Sequence, residues 1–135
     1  SHANLELNAF AELRQLEYSQ RLALKSINVM AAPGQSTGLR LFDSALKGGS
    51  SALGQAISGL TVGASADFVT LRADHAAFAG HGLETILDAA IFGGSRGLID
   101  TVWTRGLKRV ENGRHVESQN ISARYRATMN RLLNS

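Results

Sequence analysis

The sequence predicts a mostly helical chain that closes on a short β-sheet, and three observations carry that expectation. Apolar residues recur at helical spacing near both ends, as Phe10, Leu13 and Leu16 and again as Ile121, Tyr125, Met129 and Leu132. Between them, residues 59–71 run glycine, apolar pair, glycine, and then Ala66-Asp67-Phe68-Val69-Thr70-Leu71, a β-type segment entered through a turn. Further on, two short β-type runs flank Arg105-Gly106, and Asn112-Gly113 follows, a dipeptide favoured in two-residue hairpin turns.

The elements can be justified in order. Asn8 is suited to cap a first helix that runs toward Met30, and its broad stripe, continued by Tyr18, Leu22 and Ile27, implies burial on more than one side. Within it, Glu17 and Arg21 stand four apart and are placed for a helical ion pair. Residues 31–38 hold the only proline, Pro33, and read as a loop. Ser36 or Thr37 then caps a second helix with Leu39, Leu41, Phe42, Ala45 and Leu46 facing inward, stopped by Gly48-Gly49. A shorter helix is expected from Ser50 or Ser51 through Ala56. The glycine pair lacks a Gly-Lys-Ser/Thr or Gly-x-Gly-x-x-Gly context, so it is not read as a phosphate cradle.

In the central stretch Gly63 permits a left-handed turn, and Asp67 can turn its carboxylate onto nearby backbone N–H groups while Val69 and Leu71 go inward. Asp67 is accordingly read as structural rather than catalytic. Residues 72–82 are polar and carry His75 and His81, which without cysteine or a carboxylate cluster read as a solvent-exposed pair rather than zinc ligands. A helix is expected over 83–92 from Leu83, Ile86, Leu87, Ala90 and Ile91, ended by Gly93-Gly94. Strands follow at 99–104 and 107–110, and a final amphipathic helix at 118–133 is expected to dock on its own protein rather than on a membrane.

Bulk properties exclude several classes. At 135 residues with 44% hydrophobic content the chain suits one packed domain or part of a larger one. Its charge of +3 comes from 14 Lys and Arg that are scattered rather than clustered, which argues against nucleic acid. The absence of cysteine removes disulfides, zinc-thiolate sites and thiol nucleophiles. No run approaches the ~18 apolar residues of a transmembrane helix. The chain opens Ser1-His2-Ala3-Asn4 without methionine and is expected to be a piece of something longer.

Several stretches resemble one family. Glu12, Leu13, Arg14, Leu16, Glu17, Tyr18, Gln20, Arg21 and Leu22 match the Glu-Leu-Arg-x-Leu-Glu-Tyr-x-Gln-Arg-Leu run in the last barrel helix of the formimidoylglutamate deiminases. Gly63, Ala66, Asp67, Phe68 and Val69 match the segment with which amidohydrolase-superfamily enzymes leave the barrel for a small β domain, although Gly59 and Leu60 are adjacent here. Val102, Trp103, Gly106, Val110, Gly113, Arg114, His115 and the Ala123-Arg124-Tyr125-Arg126 run fit the terminal hairpin and Arg-rich helix of the deiminases.

The resemblance implies an α/β parent, a (β/α)8 barrel with a small β domain, of which this chain is the C-terminal portion. Residues 1–58 would be the last barrel helix and the helices after it, 59–117 half of the small β domain with a helix inserted at 83–92, and 118–135 the C-terminal helix. It further implies a cytoplasmic, metal-dependent hydrolase that converts N-formimino-L-glutamate to N-formyl-L-glutamate and ammonia in histidine degradation. Zinc or another divalent metal would sit in the parent, with none bound by this chain alone; the metal aspartate would directly precede Ser1, which makes His2 the one catalytic candidate. The expected partners are the remainder of the same protein, with its barrel and N-terminal strands, a small-molecule substrate, and a second copy in a homodimer. Another deaminase or chlorohydrolase of the superfamily, or a non-catalytic interaction module, are the alternatives.

Overall fold

The computed structural model describes residues 7–31, 33–55, 59–94 and 97–134, which pack as two compact units. The first comprises the described residues up to Ala64 together with Arg72–Leu98, and the second Ser65–Leu71 together with the described residues from Ile99 on.

In the first unit, helix α1 (Ala9–Leu24) starts at Asn8, whose Oδ1 accepts from the Phe10 and Ala11 amides at 3.1 and 3.3 Å. Two donors with no partner inside the helix are thereby satisfied. The helix stops short of Met30 because Lys25 turns left-handed at φ 49° and Asn28 does so again at 51°, folding the chain back along α1. Helix α2 (Thr37–Ala52) is capped by Ser36, whose Oγ accepts from the Leu39 amide at 3.1 Å.

Contrary to expectation, α2 runs straight through Gly48 and Gly49, and residues 50–52 belong to it rather than to a separate helix. A mid-helix glycine costs about 1 kcal/mol relative to alanine but does not by itself break the ladder. Neither glycine is left-handed, and the turn comes instead at Gly54, φ 66°. Only a narrow stripe of α2 is buried: Leu41 is 1% exposed, whereas Leu39 and Leu46, expected inside, are 40% and 37% exposed.

A short 3-10 turn, Ala76–Phe78, leads to α3 (Ile86–Asp88), which passes into a π-helical turn, Ala89–Gly93. The helix expected from Leu83 thus begins later, because the Thr85 amide first closes a turn on the Gly82 carbonyl at 3.1 Å. Leu41, Phe78, Ala89, Ala90, Ile91 and Leu98 form the core, with the π-helical turn packed on both α1 and α2.

The second unit is an antiparallel meander of β1 (Phe68–Leu71), β2 (Ile99–Thr104), β3 (Leu107–Glu111) and β4 (Arg114–His115), followed by α4 (Ser118–Leu133). β1 is shorter than the segment 66–71 because the Ala66 carbonyl and the Asp67 carboxylate are engaged with the β2–β3 turn instead. Phe68 lies opposite Trp103, their rings stacked at 5.6 Å, and Lys108 Nζ stands 5.3 Å from the indole centroid. Arg105-Gly106 and Asn112-Gly113 are left-handed at both positions, as two-residue hairpin turns of type I′ require. β4 extends the expected strand inventory, and α4 lies where the sequence places it with none of its residues buried.

The units do not divide at 58/59 and 117/118. Residues 72–98, expected within the small β domain, pack with α1 and α2 because Phe78, Ala89, Ala90, Ile91 and Leu98 supply that core, and α4 groups with the sheet. The Arg72 amide bonds to the Leu98 carbonyl at 2.9 Å and pins the two ends of the segment together.

Candidate functional site

The most constrained polar group in the first unit is Glu17. Its side chain is fully buried, and Oε1 accepts from Arg21 Nε at 2.6 Å and from the Val29 amide at 3.0 Å, while Oε2 accepts from the Met30 amide at 2.9 Å. Burial works to raise the Glu17 carboxyl, but the Arg21 hydrogen bond, the Met30 and Val29 amides and the Arg21 charge outweigh it and hold the group below its ordinary value. Arg21 Nη2 in turn donates to Asn28 Oδ1 at 3.1 Å, and the guanidinium carbon lies 5.6 Å from the ring centroids of both Tyr18 and Phe92. The expected i,i+4 ion pair is present, and it does more than pair: it holds the chain reversal after α1.

Beside this node an open cleft of about 350 Å³ is lined by Arg21, Asn28, Ser36, Thr37, Asp88 and Phe92, among others. Asp88 Oδ1 accepts from the Gly38 amide at 2.6 Å, so a carboxylate from α3 already occupies the positive end of α2. Glycine is required there, since a Cβ on Gly38 would stand 2.6 Å from the Asp88 nitrogen and the Leu87 carbonyl carbon. Arg21 and Asp88 are both committed to protein partners. The cleft therefore presents balanced charges rather than a nucleophile with a base, and its evident chemistry is positioning.

In the second unit Asp67 Oδ1 accepts from the Arg105 amide at 2.6 Å, and the adjacent Gly106 amide bonds to the Ala66 carbonyl at 3.0 Å. Bonding to the Arg105 amide and to the Ser65 side chain lowers the Asp67 carboxyl from its usual range. The structural reading of Asp67 holds, with its partner far along the chain. The inward direction expected of Val69 does not hold, since Val69 is 44% exposed.

His75 is half-buried rather than fully exposed and caps the 3-10 turn, its Nδ1 accepting from the Ala77 amide at 3.1 Å. His81 Nδ1 lies 3.2 Å from Thr85 Oγ1. Among the described residues no three His, Cys, Asp or Glu gather closely enough to hold a metal ion. His2 lies outside the described residues. What sequence reasoning missed is the Glu17 grip on Val29 and Met30 and the Asp88 grip on Gly38; Asn28, a residue tolerant of the left-handed region, was the one local signal of the first.

No protein-family model matches the chain. A crystal structure of an amidohydrolase from Brucella melitensis superposes on 96% of it with a TM-score of 0.84 at 42% identity. In fold and sequence, then, the chain aligns to the C-terminal part of an amidohydrolase, and it is mostly helical with a four-stranded antiparallel sheet. Among curated proteins it is similar to the formimidoylglutamate deiminase of Pseudomonas aeruginosa, 32% identical over 134 residues that cover 98% of this chain. The chain spans 30% of the length of that relative and 28% of the Brucella protein. No helix among the described residues is long and apolar enough to cross a membrane.

Proposed function

We propose that this chain is the C-terminal part of a metal-dependent deiminase that hydrolyses N-formimino-L-glutamate to N-formyl-L-glutamate and ammonia in histidine degradation. The observation that carries the reading is the likeness to a formimidoylglutamate deiminase along nearly the whole chain, at 32% identity. The remainder of the protein would supply a (β/α)8 barrel, further strands for the small sheet, and the substrate pocket, in a cytoplasmic homodimer. Zinc or another divalent metal belongs to this reading, but the described residues offer no donor set for it. Their part is to pack and orient. His2, next to the expected metal aspartate, is the one residue of this chain assigned to the reaction.

The test is ammonia release from N-formimino-L-glutamate by the whole protein, before and after chelation and after zinc is restored. Turnover that chelation abolishes and zinc recovers is the expected result. Turnover of other deaminase or chlorohydrolase substrates with none of this one would move the protein to another branch of the amidohydrolases.

A further inference from the structure

Two stretches of the deiminase resemblance with no role so far, Gly113-Arg114-His115 and Ala123-Arg124-Tyr125-Arg126, meet in the second unit. Arg114 from β4 and Arg126 from α4 line one open cavity of about 430 Å³ together with Ser118, Gln119, Ser122 and Ala123. Among the described residues no acidic side chain lines it. Among the described residues neither guanidinium is engaged in an ion pair, in contrast to Arg21, which Glu17 neutralises.

Two cations that line one open cavity favour an anion between them, which replaces their mutual repulsion with attraction to both. The guanidinium fork matches the oxygens of carboxylate and phosphate, and the Ser118 and Ser122 hydroxyls and the Gln119 amide add neutral donors. α4 also begins here without a side-chain cap, since Glu117 makes no such bond. We infer that this cavity binds an oxyanion, a carboxylate or phosphate group, held by Arg114 and Arg126. The source is either a free anion or a carboxylate elsewhere in the protein, and the inference stands apart from the deiminase reading.

Inorganic phosphate titrated calorimetrically into the whole protein is the test, with R114A and R126A as variants and R124A, on the same helix but outside the cavity, as control. The expected result is saturable binding that each cavity variant weakens by at least ~fivefold and the control leaves alone, with R126K retaining part of it through its charge. If phosphate does not bind but R114A and R126A, unlike R124A, lower the melting temperature or loosen the assembly in a way that high salt erases, the oxyanion is the protein's own carboxylate. Absence of both effects, or an equal effect of R124A, overturns the inference. These side chains are exposed, so the variants will fold.

Discussion

Glu17 Oε2 accepts the amide of Met30 at 2.9 Å across 13 residues, so a side chain in the third turn of α1 fixes the loop that leaves the same helix. A carboxylate here has only acceptors to offer, and its neighbours have only donors: the Val29 and Met30 amides and the Arg21 guanidinium. The match explains why the buried charge is tolerated, since burial without such partners costs several kcal/mol.

Glu17→Gln is therefore expected to destabilise more than its near-identical shape suggests, because an NH2 group must face a backbone N–H. Removing one partner from a buried charge network typically costs about 3 kcal/mol, and Arg21, part-exposed, recovers some solvation. Chemical denaturation of the whole protein measures it. A loss within about 0.5 kcal/mol would mean that the loop is held by other contacts.

The same carboxylate gives a pH dependence with a definite sign. Its folded value lies below its ordinary one, so the stabilisation is fully present above the unfolded pKa, about 4.3, and is lost as pH falls through the folded value. Acid unfolding followed by circular dichroism should show a slope below about pH 4.3 that is shallower in Glu17→Gln. An unchanged slope would remove Glu17 from the account of acid sensitivity.

Glycines of α2 should respond in opposite directions. Gly38→Ala puts a Cβ 2.6 Å from the backbone of Leu87 and Asp88, and overpacking of that kind costs about 1–3 kcal/mol. Gly48→Ala and Gly49→Ala meet open space inside a helix, where alanine is favoured by about 0.5–1 kcal/mol at each site. Thermal melting that fell for Gly38→Ala and rose for the other two would confirm that α2 runs through the pair; a fall at Gly48 or Gly49 would bring back the break expected from the sequence.

The contrast within α2 shows what the sequence made legible. Patterns bound to near neighbours were readable: the Asn8 cap, the Arg105-Gly106 and Asn112-Gly113 turns, and the reach of α4 all follow from residues within one or two turns of each other. Two glycines in a row looked like a stop, but neither takes the left-handed conformation that ends a helix, and the cost of about 1 kcal/mol for each is too small to break the ladder of α2. The Asp88–Gly38 bond spans 50 residues and leaves no periodicity to detect. The Glu12–Leu22 run was distinctive as a pattern, but nothing in it announced that Glu17 and Arg21 hold the return of the chain, with Tyr18 beside the Arg21 guanidinium.

Asp67 supplies the last test, on the second unit. Its Oδ1 and the Ala66 carbonyl hold the Arg105 and Gly106 amides, so one short segment secures the turn that joins β2 to β3. Asp67→Asn keeps an acceptor in place without the charge, whereas Asp67→Ala keeps neither. Amide hydrogen exchange at Arg105 is expected to quicken modestly in the first and strongly in the second, with Gly106 following only in part because the Ala66 carbonyl remains. In the unaltered protein the Arg105 amide should also report acid: the Asp67 carboxyl is lowered first by that amide, so the bond is intact above the ordinary aspartate value of about 3.9 and weakens as pH falls through the lower folded one. Equal exchange at Arg105 in all three proteins would show that strand pairing alone fixes the turn, and would reduce Asp67 to an exposed residue beside it.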